Sequence, residues 1–366
     1  MKISLPEKPR YGDAAPIVVR VTPPWSEGTI LSASSPLRSS HDFTAFGFAE
    51  LTFAYPGTGV EPDKSGGTFD AGGEASVRAL RDVLRFATGL AGDSSGRTIG
   101  NLPTDFPLLA TDVGVVGVGE AGNTIYAALG QHGNAFPGLK WMVAFETPVG
   151  SDLINLDLGA AELDPDPSRD ADGDGITWND GRNIAYAPGT GMDWRRLRFN
   201  PLFPTPLLPG SKVTAPKGVA FLDNNGNGAF DARPGGSLDS DRDGKLGIED
   251  DFAFRPSALP PPPGQFGAKV YYSIPLLQEL ESRGTITTAR PPEMASLAEA
   301  EEYWRQRDGS FHFDAIGKAL PDLMVGIVAA LRDHTQVQPD HPHVRRQYEG
   351  LRTAGVKFVR LNPDFS

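Results

Sequence analysis

The chain has 366 residues, 39% of them hydrophobic and 9% aromatic, enough to bury a sizeable core in one elaborated domain or two smaller ones. No apolar run approaches the ~18 residues of a membrane span. Asp and Glu number 46 against 34 Lys and Arg, a net charge of −12, so nucleic acid and anionic membrane surfaces are repelled and cations attracted. The absence of cysteine excludes disulfides, thiolate zinc sites and a cysteine nucleophile.

In chain order, the opening Met1-Lys2-Ile3-Ser4-Leu5-Pro6 lacks the apolar centre of a signal peptide. Residues 17–21 and 49–55 are short Val-, Ile- or Phe-rich runs bounded by turn residues, as buried parallel strands are. Residues 75–90 place Val77, Leu80, Val83, Leu84, Ala87 and Leu90 on one helical face. A third strand is predicted at 113–117, a helix at 121–129 and a fourth strand at 141–145. The composition then changes: residues 151–260 hold 18 of the 46 carboxylates and 11 of the 34 basic residues, a local net charge of −7. Proline-rich pieces at 201–206 and 260–263 read as extended connectors. Strands at 323–330 and 356–361 close the chain, with a helix at 342–352 that starts on Pro342. Strands alternating with helices predict an α/β fold, a mostly parallel central sheet with helices on both faces. Residues 1–150 and 311–366 form its discontinuous core, and 151–310 are an acidic, Gly- and Pro-rich insertion.

Residues 113–124 read Val-Gly-Val-Val-Gly-Val-Gly-Glu-Ala-Gly-Asn-Thr, a strand running straight into a helix. A nucleophile elbow needs small residues two before and two after the nucleophile so that strand and helix can pack closely. Gly117 and Ala121 are that pair, which puts Gly119 at the nucleophile position. A second register would make Ala121 the altered nucleophile but leaves Asn123 where a small residue is needed. The stretch Gly117-Val118-Gly119-Glu120-Ala121-Gly122 also satisfies the dinucleotide fingerprint, with Glu146 closing the next strand. That fingerprint normally sits in the first strand of its unit, and strands precede it here.

At these residues the chain resembles the α/β-hydrolase superfamily of serine esterases, lipases and peptidases. The resemblance implies that Pro56-Gly57-Thr58-Gly59, after the second strand, supplies an oxyanion-hole amide from Gly57 or Thr58, the other coming from Glu120. It implies Asp333 as the triad acid and an ester or amide substrate, small or polymeric. It also implies a lid insertion after residues 141–148, where the large insert begins. Two departures stand out. Gly119 has no side chain with which to attack a carbonyl, and no histidine follows the final strand, so either the natural protein continues past Ser366 or the triad is incomplete. His334, His341 and His343 are the histidines nearest Asp333 in sequence. A non-catalytic, calcium-dependent extracellular binding protein, a pseudohydrolase, is the alternative function.

Three acidic stretches in the insert follow the calcium-loop pattern, with hard oxygens at positions one, three and five and a glycine at six that turns the chain sharply. They are Asp239, Asp241 and Asp243 closed by Asp250; Asp223, Asn225 and Asn227 with Asp231; and Asp170, Asp172 and Asp174 with Asp180. Carboxylates this close repel one another unless a cation offsets them, so Ca2+ is the expected cofactor, acting as a staple for the insert. Asn-containing loops suit millimolar calcium, which predicts a secreted or cell-surface protein.

Overall fold

The computed structural model describes residues 1–22, 42–59, 64–150, 186–187, 191–192, 194–200, 219–223, 226–228, 252–253, 257–258, 270–284, 295–328 and 342–362. The chain divides into two compact units, Met1–Val149 with Gln306–Val328 and Arg346–Ser366, and Gly150–Arg305 with Ala329–Arg345. Among the described residues no helix is long and apolar enough to cross a membrane.

In chain order the principal elements are β1 (Lys2–Ser4), β2 (Ala15–Val21), β3 (Ala49–Thr52), α1 (Glu74–Ala87), β4 (Leu108–Val118), α2 (Ala121–His132) and β5 (Leu139–Phe145). There follow β6 (Leu197–Asn200), β7 (Val219–Leu222), β8 (Phe252–Ala253), α3 (Ile274–Ser282), α4 (Leu297–Arg307) and α5 (Phe313–Ala319). The last are β9 (Met324–Val328), α6 (Pro342–Thr353) and β10 (Phe358–Leu361).

The first unit is built on a seven-stranded sheet of order β1-β3-β2-β4-β5-β9-β10. Every pairing is parallel except β1 with β3. The parallel strands fall on the short apolar runs read from the sequence, and β2 is buried at all seven positions, as a strand covered on both faces must be. From β2 the chain steps outward to β3, then crosses back over β2 to β4, and from there advances one strand at a time. The direction of winding reverses between β2 and β4.

Register sorts the side chains into two faces. Gly117, Ala144 and Ile327 are aligned across β4, β5 and β9, and a Cβ on Gly117 would lie 2.7 Å from Ile125 of α2, so this row faces the helices. Helix α2 packs on α1 and α5. The C-terminal part of α6 joins the same layer, where Tyr126 donates to Gln347 at 3.0 Å and Phe313 fills the space beside Gly350. The opposite face carries the row Gly114, Trp141, Met324 and Phe358. Trp141 lies over Gly114 so closely that a Cβ there would be 2.0 Å from the indole. Phe48, just after the 3-10 turn Phe43–Phe46, meets Trp141 edge to face, while Met324 and Phe358 are half exposed. Helices were expected on both faces; the described helices of this unit share one.

Two expectations shift at element ends. Helix α1 stops at Ala87, where Thr88 turns its hydroxyl back onto the carbonyl of Leu84, so Leu90 is exposed rather than on the apolar face. Strand β4 begins at Leu108, ahead of the apolar run that starts at Val113.

In the second unit β6, β7 and β8 form a small antiparallel sheet. Arg283, after α3, donates to the carbonyls of Trp194 at 2.6 Å and Leu197 at 2.9 Å. Tyr271 stacks on Tyr303 with centroids 4.1 Å apart, and Trp304 donates to the carbonyl of Tyr272 at 2.8 Å.

Candidate functional site

The residues after β4 form a sharp strand-to-helix turn. Gly119 has φ +56°, left-handed backbone that a residue with a side chain adopts only at a cost. Its amide donates to the Phe145 carbonyl of β5 at 2.8 Å, and its carbonyl accepts from Gly122 at 3.2 Å. Glu120 is exposed and stands just before α2 without a side-chain capping bond. The backbone is closely packed around it: a Cβ on Gly117 would press on Ile125 and on the Gly122 amide, and one on Gly122 would fall 2.0 Å from the Thr147 hydroxyl. At Gly119, by contrast, a Cβ would have nothing within 4 Å, so a side chain there would project into open space. Ala121, the nucleophile of the second register, is wholly buried as the first residue of α2, which leaves Gly119 as the outward position.

Three strands of this sheet end in left-handed residues at their carboxyl ends: Gly119 after β4, Glu146 (φ +51°) after β5 and Asn362 (φ +39°) after β10. Backbone bonds to β9 hold two of them, Glu146 N–H to Val328 O and Asn362 N–H to Ile327 O, both at 2.8 Å. Such positions cost about 1–3 kcal/mol each for residues with side chains and gather at functional sites. In open α/β sheets ligands bind at the carboxyl ends of the strands where winding reverses. Here that point, between β2 and β4, is beside Gly119.

Below the turn, Asn123 is a buried clamp whose amide group donates to Pro148 O at 2.7 Å and accepts from Gly309 N–H at 2.8 Å. Gln347 adds a second clamp by donating to Thr147 O at 2.7 Å. Tyr55 is buried, with its hydroxyl on Thr22 O at 3.1 Å. Burial pushes its phenol well above the ordinary range; the charge of Asp70 pushes the same way and a hydrogen bond with Thr124 opposes it. Sequence reading missed these clamps, because Asn123 and Gly309 are 186 positions apart.

The loop after β3 is tightly folded on itself. Gly57 (φ +76°) donates its amide to Gly66 O at 3.0 Å, and Thr58 donates its amide to Tyr55 O at 3.0 Å and its hydroxyl to the same atom at 2.9 Å. Both amides expected to serve an oxyanion hole therefore already have acceptors within the loop. His343 is buried on α6 in the second unit. Asp333, His334 and His341 lie outside the described residues.

Of the calcium-loop residues, Asp223 and Asn227 are described. Asp170, Asp172, Asp174, Asp180, Asn225, Asp231, Asp239, Asp241, Asp243 and Asp250 lie outside the described residues. Asp223 follows β7 and is buried, accepting the Gly228 amide on Oδ2 at 3.0 Å. Among the described residues no group of three or more His, Asp or Glu side chains is gathered as a metal would require.

No protein-family model matches this chain, and neither does any curated protein.

Proposed function

We propose that the chain is a hydrolase-type protein of the α/β class whose crevice at the carboxyl ends of β2, β4 and β5 receives an ester or amide carbonyl, with Gly119 at the nucleophile position. The observation that carries this reading is the turn itself: a left-handed, unobstructed Gly119 at the winding reversal, between glycines whose added Cβ atoms would clash. The amide of Glu120, first after that position, is the donor suited to a developing oxyanion. Lacking a nucleophile, the chain binds carbonyl ligands without forming an acyl-enzyme.

Comparison of the natural chain with Gly119→Ser on a panel of short acyl esters tests this. The natural chain should show no acyl-enzyme and little turnover, and Gly119→Ser should raise ester hydrolysis at least ~10-fold. Oxyanion stabilisation and binding alone give ~10³–10⁴-fold over water in known triads, so a gain beyond that range would mean that one of His334, His341 or His343 serves as base. A folded Gly119→Ser that neither hydrolyses esters nor binds a carbonyl analogue such as a boronic acid would overturn the reading. Tight binding of a dinucleotide by the natural chain would establish the fingerprint Gly117-x-Gly119-x-x-Gly122 in its place.

A further inference from the structure

We infer that Oδ1 of Asp223 is a direct ligand of a calcium ion. The inference stands apart from the hydrolase reading. Asp223 follows β7, and its amide donates to Arg196 O at 2.9 Å, which fixes the residue against the segment leading into β6. Its side chain is entirely buried. The two carboxylate oxygens have different surroundings. Oδ2 accepts the Gly228 amide at 3.0 Å and has the Arg198 guanidinium at 3.5 Å. Oδ1 is buried with no hydrogen-bond partner.

A buried carboxylate oxygen left without a donor or cation gives up its hydration for nothing, which folded proteins avoid. Arg198 does not remedy this, because it reaches the other oxygen at a long distance and 44% of its side chain is exposed. A hard cation at Oδ1 does. The described backbone suits one: Gly226 and Gly228 are both left-handed, at φ +75° and +78°, and the amide of Gly228, at position six, donates to the carboxylate at position one. That is the sharp bend for which a calcium loop uses glycine at six. Asn227, at position five, is the other oxygen donor of the spacing among the described residues. A neutral amide ligand in place of a carboxylate lowers the charge of the site, and weaker, low-charge sites of this kind fill at the ~10⁻⁴–10⁻³ M calcium found outside cells. Bound there, the ion ties the end of β7 to Arg196 and so to the start of β6. An extracellular location goes with the site.

The test uses the full chain, stripped with chelator and titrated with calcium by calorimetry, and with terbium read through tryptophan-sensitised luminescence. The three acidic loops are separated by substitution. Asp223→Ala should bind one fewer equivalent than the natural chain. Asp223→Asn, which keeps the shape and the acceptor for Gly228, should weaken that equivalent at least ~10-fold while its circular dichroism matches the natural chain. Arg198→Gln should keep the equivalent. Should Asp223→Ala fail to fold, Asp223→Asn decides alone. Unchanged calcium stoichiometry and affinity in Asp223→Asn, or a natural chain that takes up neither calcium nor terbium, would overturn the assignment.

Discussion

The sheet unit and the second unit keep their shape by different means. In the first, β2 is buried along its whole length and the helix layer closes over Val115, Ala144 and Ile327, all fully buried. Apolar burial of this extent, at about 25 cal/mol per Å² removed from water, is the main stabilising term. In the second, the described strands are two to four residues long, and beside the buried leucines of α3 its elements are joined by polar contacts: Arg283 on two carbonyls, Trp304 on a third, Asp223 on the Gly228 amide. Among the described residues of this unit these directional groups add to the burial of Leu276, Leu277 and Leu280 in holding neighbouring segments together, and the calcium ion proposed at Asp223 would add one more tie. The sheet unit should therefore be hurt by changes inside it and indifferent to calcium, and the second unit the reverse.

The largest effect expected in the sheet unit is at a charged pair set within its apolar packing, Arg20 on β2 with Glu50 on β3 at 3.0 Å, with side chains only 6% and 8% exposed. Arg20→Met leaves Glu50 buried without this partner and should cost about 3–5 kcal/mol in urea unfolding. Arg20→Met with Glu50→Leu should recover most of that loss. If the single and double variants prove equally unstable, the pair is not what the site requires, and the stacking of Arg20 over the Phe43 ring, 5.4 Å from its centroid, is.

A smaller effect separates the two glycines of the turn. Gly122→Ala must displace Thr147 and should destabilise by about 1–3 kcal/mol through overpacking. Gly119→Ala meets no obstruction and should lose only the ~1–2 kcal/mol of a left-handed residue with a side chain. Equal losses in thermal or chemical unfolding would mean that the turn is crowded on both sides, contrary to the open position assigned to residue 119.

The smallest effect is alkaline. Burial raises the phenols of Tyr55 and Tyr126 in the sheet unit and of Tyr272 in the second unit above their ordinary value. The unfolded chain releases these protons from about pH 10 upward while the folded chain keeps them. Stability is therefore complete below about pH 10 and falls as pH rises beyond it, by up to about 1.4 kcal/mol per pH unit for each such phenol. Tyr126→Phe should make the fall shallower, as measured by unfolding midpoints between about pH 9 and 11. An unchanged slope would mean that the phenol is not protected in the folded state.

The sheet was legible because most of its strands lie in short apolar runs bounded by turn residues, and the turn was legible because the small residues Gly117 and Ala121 stand on either side of Gly119. The first half of β4 escaped notice since Thr111 is exposed and Asp112 partly so, which interrupts the apolar run. Helix α4 escaped because its buried residues are only Ala300, Tyr303 and Trp304, amid Glu299, Glu301 and Glu302. The oxyanion role given to Gly57 and Thr58 rested on the resemblance alone. A resemblance does not say where an amide points, and in the fold both are turned onto carbonyls of their own loop.

The ends of the sheet carry a consequence for how molecules behave in concentrated solution. Its outermost strands are β1 and β10, three and four residues long, and an unpaired strand edge invites a neighbouring molecule to continue the ladder. Short edges offer little to copy, and β10 in addition exposes Arg360 and is preceded by Lys357, whose ammonium reaches Asp322 at 2.7 Å. A second β10 brought alongside would set arginine and lysine against their own kind. The sheet thereby resists growth into fibrils and edge-to-edge aggregates at the rim where its parallel strands would otherwise be most easily extended.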